Sequence, residues 1–419
     1  VKSISVIVLL SLVAGLVAGA LVRASGDPAL TNIAGIVEPF GGLWLNTLRM
    51  TVVPLVVSLL ITAIASVADT AKTGGLVARG ILLFTVLLFF AATYTTLVTN
   101  GWLAIWPLDR SAADAFVAGV GDQAVTISES PTFASWLQGL APYNPIKAAA
   151  EDGMLALVVF SIFFGFAAAT LAPDMRAQIV NFFRAVSEAM IKIVHWVLLA
   201  GPVGVFALAL GVGLHAGFSA AGTLAQYVVI VTGVTAGSTV IAWLIAVTFG
   251  GQPIARFTSA ATPVWAIAAS TQSSLASLPA MLEAALRGLQ IPPRVADVIL
   301  PLAVAIFRFT SPVANLAVCF FVAHLYNIEP SLIQIVSAIV VAYAVSIAAV
   351  GLPGQVSFIA SIAPICLALG VPTEVLGILI AVEVIPDIFR TLGNVTGDLA
   401  ATSILARNQP REDEGSPAP

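Results

Sequence analysis

The stretch Glu383-Val-Ile-Pro-Asp387-Ile-Phe-Arg390-Thr391-Leu-Gly-Asn394-Val-Thr-Gly-Asp398, close to the end of a 419-residue chain, decides how the remainder is read. Glu383, Asp387, Arg390, Asn394 and Asp398 follow at steps of four, three, four and four residues, the spacing that stacks side chains on one helix face. One stripe therefore carries three acids, a guanidinium and an amide. Val382, Val384, Ile385, Ile388, Leu392, Val395 and Leu399 make the other side apolar, suited to lipid or to a packed bundle. Ionisable groups in such surroundings are costly unless paired or wet, so the stripe marks a functional site.

The composition agrees. Charged residues are 9% of the chain, where about 25% is ordinary for a soluble protein, while apolar residues reach 59% and mean hydropathy is +1.04. Such a chain cannot build a soluble surface, and it reads as a polytopic all-α membrane protein. The net charge is -4 and the basic residues are scattered, which argues against nucleic acid as a partner. Cys319 and Cys366 lie in apolar runs and imply no disulfide framework. His195, His215 and His324 are isolated from one another, so no Cys/His metal cluster can be written and no cofactor is expected. The run Ile4 to Leu21 follows Lys2 as in a signal peptide, but lacks a convincing small-residue cleavage site and reads as a first span.

Stretches of bilayer-crossing length fall near 4–23, 40–67, 76–105, 151–171, 190–213, 222–250, 295–325 and 373–406, which predicts eight crossings. Leu108 to Ala148, with Asp109, Asp114, Asp122 and Glu129 against Arg110 and Lys147, reads as an extramembrane insertion. Counting Lys and Arg in the loops places both termini in the cytoplasm, in the plasma (inner) membrane of a prokaryote. The polar, Pro-rich tail from Gln409 reads as disordered.

Two apolar segments do not fit simple crossings. Thr258 to Leu286 has arms of about a dozen residues around the polar tip Ser270-Thr-Gln-Ser273-Ser274-Leu-Ala-Ser277-Leu-Pro279. Ser331 to Leu369 has the tip Val350-Gly351-Leu-Pro353-Gly354-Gln355. Each predicts a re-entrant helical hairpin, the first entered from the cytoplasm and the second from outside, because irregular backbone at membrane depth must be buried in protein or line a wet cavity. Each is followed by a polar-bearing span, and the tips share Leu-Pro while the spans share Ile-Phe-Arg (Ile306 to Arg308, Ile388 to Arg390). An inverted repeat with a midplane site follows as the expectation.

Asp387-Ile-Phe-Arg390-Thr391-Leu-Gly-Asn394-Val395-Thr396-Gly397-Asp398 resembles the last-helix motif of the glutamate transporter family, the dicarboxylate/amino acid:cation symporters. Leu48-Arg-Met-Thr-Val-Val-Pro54-Leu, Pro142-Tyr-Asn-Pro145, Gly201-Pro-Val-Gly-Val-Phe-Ala207 and both hairpin tips extend the resemblance over most of the chain. It implies a homotrimer working as an elevator. Residues 1–72 (spans 1 and 2) and 108–215 (the insertion and spans 4 and 5) would be scaffold. Residues 73–107 (span 3), 216–256 (span 6), 257–290 (first hairpin), 291–328 (span 7), 329–371 (second hairpin) and 372–408 (span 8) would move, leaving 409–419 as the tail.

The resemblance also implies residue roles. Asp387 would accept a substrate ammonium, Arg390 would hold a side-chain carboxylate, Thr391 and Asn394 would complete the polar contacts, backbone groups at Ser273, Ser274 and Gly354 would meet the main-chain carboxylate and close the lid, and Ser311 would be a further substrate-binding residue. A planar guanidinium fork suits a carboxylate, and an ammonium in a dry pocket needs an acid. An acidic amino acid, aspartate or glutamate, fits both. A purely structural Asp387–Arg390 pair is the alternative, with Ser273 and Ser274 only capping a helix.

The chain departs from the family where sodium ligands are expected. Phe307-Arg308-Phe309-Thr310-Ser311 replaces Asn-Met-Asp-Gly-Thr, and Leu82 to Phe90 has one hydroxyl, Thr85. At least one sodium site is expected to be absent, with residual ion binding confined to Asp398 and Asn394. Arg308 beside Asp398 or a neighbouring acid would serve as a fixed internal cation; snorkelling of Arg308 towards an interface is the bland alternative. Glu383, an intramembrane acid with no assigned partner, is then the candidate for proton coupling, with uncoupled exchange and sodium- or proton-coupled transport of another amino acid or dicarboxylate left open. An intramembrane protease is disfavoured: Asp387 and Asp398 share one helix, and His215 lies only four residues from Ser219.

Overall fold

A computed structural model describes residues 2–70, 75–120, 132–348 and 354–407. The expected tail, Lys72, Asp122 and Glu129 fall outside them, as does the second hairpin's tip up to Pro353. The described residues are helical almost throughout: α1 Lys2–Ser25, α2 Pro28–Arg49, α3 Val52–Thr70, α4 Gly75–Ile105, α5 Arg110–Ala118, α6 Phe133–Gly139, α7 Pro145–Ala150, α8 Met154–Ala169, α9 Pro173–Leu199, α10 Gly201–Ala216 and α11 Ser219–Thr248. They continue as α12 Ile254–Thr271, α13 Ser274–Glu283, α14 Pro293–Ile306, α15 Ser311–Leu325, α16 Leu332–Ala348, α17 Gly354–Leu369, α18 Leu376–Leu379 and α19 Val384–Ala406.

Five helical stretches among these are long and apolar enough to cross a bilayer, six if α9 and α10, bent by 61°, make one span. The predicted crossing at 151–171 is the 16-residue α8, about 24 Å at 1.5 Å per residue. The last predicted crossing is α19, too rich in polar residues to be recognised by hydropathy. The second begins earlier than expected, at Pro28, because Asp27 accepts from Ala29 N and caps α2.

Paired helices stand at both expected hairpin positions, α12 with α13 and α16 with α17, and the arms of each pair pack on one another. The first arm of the first pair is 18 residues rather than about a dozen. Gln272, in the left-handed region at φ 54°, makes the turn between arms, and the Ser273 hydroxyl caps α13 by accepting from Ala276 N. Cys319 on α15 and Cys366 on α17 are buried, their sulfurs 3.2 Å apart. Arg49 at the end of α2 pairs with Glu374, before α18, at 2.9 Å.

The insertion contains α5, α6 and α7. Hydrogen bonds from the Ser111 side chain and from Ala112 and Ser111 N hold the Asp109 carboxyl below its usual range at the start of α5.

The seventh expected span is not one helix. It breaks at Phe307 to Thr310, between α14 and α15. The break is stitched to α19: Thr310 N donates to Asn394 Oδ1 at 2.9 Å, and the single Thr310 Oγ1 proton is divided between Arg390 O at 2.6 Å and Asn394 Oδ1 at 2.8 Å. Phe307 stacks on Phe84 of α4, ring centroids 4.5 Å apart. This approach needs glycine on α19. A Cβ on Gly397 would lie 2.8 Å from Phe309 Cβ, and one on Gly393 would strike the Thr310 methyl. Gly393→Ala is therefore expected to cost about 1–3 kcal/mol, read as a lower melting temperature in detergent. Gly42→Ala, where a Cβ meets nothing within 4 Å, is the control. Equal melting of the two variants would contradict this packing.

Candidate functional site

The helix α19 is buried on nearly every side, packed by α11, α12 and α14, with Ile385 the exposed exception at 45%. The apolar remainder of its stripe thus meets protein. Asp387, Arg390, Thr391, Asn394 and Asp398 are all buried. Glu383, expected on the helix, is its N-cap residue and is fully buried.

A cavity of about 20 Å³, room for about one water, lies at the end of the first hairpin. Gln272, Ser273, Ser274 and Leu275 wall it on one side, Val304, Phe307 and Arg308 at the break on another, and Asp387, Thr391, Asn394 and Asp398 on α19 on a third. Seven residues singled out in the sequence are thereby brought together: Ser273, Ser274, Arg308, Asp387, Thr391, Asn394 and Asp398. The Arg308 guanidinium interacts electrostatically with Asp387 and Asp398 and is opposed by Arg390. Both Asp398 carboxylate oxygens are buried without a hydrogen bond, so its charge is balanced across the cavity rather than by direct donors.

Three expected residues stand elsewhere. Arg390 is not among those lining the cavity; its Nη2 lies 2.7 Å from Glu383 Oε1. The contact is a close charge pair rather than an aligned hydrogen bond, since neither atom meets hydrogen-bond geometry. The expectation that Glu383 has no partner is thus corrected. The reason is geometric: Glu383 and Arg390 are two helical turns apart, and the helix start lets the acid fold back over its own face. Tyr227 of α11 completes the group, its hydroxyl donating to Glu383 Oε2 at 3.3 Å. Ser311 faces Asn315, whose Nδ2 donates to it at 3.3 Å. Gly354 begins α17.

Asn394 was expected to offer oxygen to an ion. Its Oδ1 accepts from Thr310 N at 2.9 Å, while the single Thr310 hydroxyl proton is divided between Arg390 O at 2.6 Å and that same oxygen at 2.8 Å. The oxygen is thereby turned towards the break, which leaves the NH₂ as the other polar end of the side chain. A sodium ion on Asn394 Oδ1 would share that oxygen with Thr310 N.

Sequence reasoning missed Tyr227, Gln272 and Thr310. A lone phenol inside the apolar run of α11 was a usable signal for the first. Gln272, whose Nε2 donates to Val384 O at 3.3 Å, and Thr310 act through contacts 112 and 84 residues away and gave none.

Comparison with known proteins places these features in context. The family model described as the sodium:dicarboxylate symporter family matches residues 4–408. The proton/glutamate-aspartate symporter of Escherichia coli (strain K12) is 27% identical over 96% of this chain and 91% of its own. The proton/sodium-glutamate symport protein of Bacillus caldotenax is 26% identical over 97% of this chain and 95% of its own. C4-dicarboxylate transport protein 2 of Mesorhizobium japonicum is 24% identical over 91% and 86%.

Proposed function

This chain belongs to the sodium:dicarboxylate symporter family, whose members are transporters and not enzymes, and from that premise we propose that it is a cation-coupled secondary transporter of acidic amino acids, aspartate or glutamate. The observation that carries the reading is Asp387, a buried acid on the cavity wall beside Thr391, Asn394 and the Ser273–Ser274 tip. An ammonium taken from water needs such an acid, and a plain dicarboxylate would be repelled by it. A second reading, C4-dicarboxylate transport, is favoured by the second guanidinium that Arg308 brings to the site.

Two hairpins entering from opposite sides, spans 3, 6, 7 and 8 moving as one elevator against a trimeric scaffold, and cytoplasmic termini complete the proposal. Arg308, next to Asp387 and Asp398, stands where a bound cation would otherwise offset those acids. Around the site Glu383, Asp387 and Asp398 outnumber Arg308 and Arg390 by one charge. An acidic amino acid adds a second negative charge, and a proton on Glu383 removes it. Proton coupling through Glu383 rests on that balance, on the Arg390 contact, and on the proton named in two relatives.

Calorimetry on the purified protein with aspartate, glutamate, succinate and a neutral amino acid, with and without sodium and at two pH values, tests the reading. Aspartate or glutamate should bind without sodium. Binding of succinate alone would favour the second reading, and strict sodium dependence would remove the role given to Arg308.

A further inference from the structure

The cavity holds one guanidinium, and it is not the one on the motif helix. Arg308 lines the space between Asp387, Asn394 and the first hairpin tip, whereas Arg390 is absent from the lining and lies against Glu383 at 2.7 Å. The position of Arg308 is imposed by its neighbours. Phe307 is stacked on Phe84, Phe309 is buried against α19 at Gly397, and Thr310 is bonded to Asn394. A residue held between such anchors has little freedom to withdraw.

The polar groups around the cavity divide by sign. Asp387 offers negative charge. Arg308 offers a fork of donors, Asn394 turns its oxygen to Thr310 N and so keeps its NH₂ as a donor, and the ten-residue α13 begins at Ser274 with its N-terminal end at the same wall. A ligand that puts its ammonium on Asp387 must set the group bonded to the same carbon within a few ångströms, on the donor side.

We infer that Arg308 binds the α-carboxylate of the amino acid and so sets this chain's requirement for a free α-carboxylate, while Arg390 is reserved for the side-chain carboxylate. This rests on the amino acid reading above. Arg308 has donors enough to face Asp398 with one edge and the ligand with the other. The chain then recognises the two acids of aspartate with separate guanidinia, at the cost of the span-7 oxygens that a metal ion would use.

The test compares binding of aspartate, its α-amide and its β-amide to wild-type protein and to Arg308→Gln. Wild type should prefer aspartate over the α-amide by about 100-fold, the loss expected when a charged hydrogen-bond partner is removed. In Arg308→Gln that preference should fall to about twofold, while the preference for aspartate over the β-amide stays. A retained α-carboxylate preference in the variant overturns the inference alone. Wild type that binds none of the three ligands overturns the transport reading, and the inference with it. Should Arg308→Gln not fold, judged by its melting profile, Arg308→Lys takes its place. Lysine keeps the charge and loses the fork, so discrimination against the α-amide should drop about tenfold, and undiminished discrimination would count against the assignment.

Discussion

Asp387→Asn is expected to lower aspartate affinity by about 10²–10³-fold, in line with the ~3–5 kcal/mol lost when one partner of a buried charge pair is removed. The asparagine keeps the size and hydrogen-bonding reach of the acid, so the wall of the cavity should survive. What disappears is one of the two acids, Asp387 and Asp398, that line the cavity among the described residues, both of which face Arg308. The ammonium of an entering amino acid would then face Arg308 with nothing to balance it. Succinate, which has no ammonium, should gain relative to aspartate in the same variant. Titration of the two ligands against wild type and Asp387→Asn decides the matter. Unchanged aspartate affinity would mean that the ammonium is held elsewhere and that the cavity is not the substrate site.

For Glu383→Gln the expected result is a loss of coupling rather than of binding. In proteoliposomes, uphill aspartate uptake driven by an acidic exterior should fall to background, while counterflow of labelled aspartate against unlabelled aspartate persists. Arg390 cannot serve Glu383 at 2.7 Å and a substrate carboxylate with the same face of its fork. A proton on Glu383 removes the competitor and frees the guanidinium, which makes proton and substrate arrive together. Glutamine imitates the protonated acid permanently, so Arg390 stays available and no proton need travel. The charged neighbours of Glu383 are Arg390 and Asp387 on its own segment, with Tyr227 facing it from α11. Tyr227→Phe, which removes the phenol contact to this acid, should leave pH-driven uptake in place at a reduced rate. If gradient-driven uptake by Glu383→Gln equals that of wild type, the proton takes another route.

Much of this was legible along the chain. The steps from Asp387 to Asp398 are local, so helix geometry alone predicts that Asp387, Thr391, Asn394 and Asp398 share a face, and all four line the cavity. The Ser-rich turn at Ser273 was equally readable, because a short polar tip between apolar arms has few places to go. Arg308 stood out as a cation in an apolar run, and its nearness to an acid of the last helix was a sound expectation from charge alone. Ser311 was less readable: a hydroxyl at the first turn of α15 can face the site or its own helix, and it faces Asn315.

Local pattern and composition thus determined the membrane class, the helices and the polar face of α19, because each depends on residues within a few turns of one another and on the cost of charge in an apolar medium. Which acid holds Arg390, which atom of Asn394 remains free and which guanidinium reaches the cavity were decided only by tertiary structure. Those outcomes depend on Tyr227 and Thr310, 156 and 84 positions away from their partners, and a hydrogen bond is directional enough that a single distant donor reassigns the group it meets.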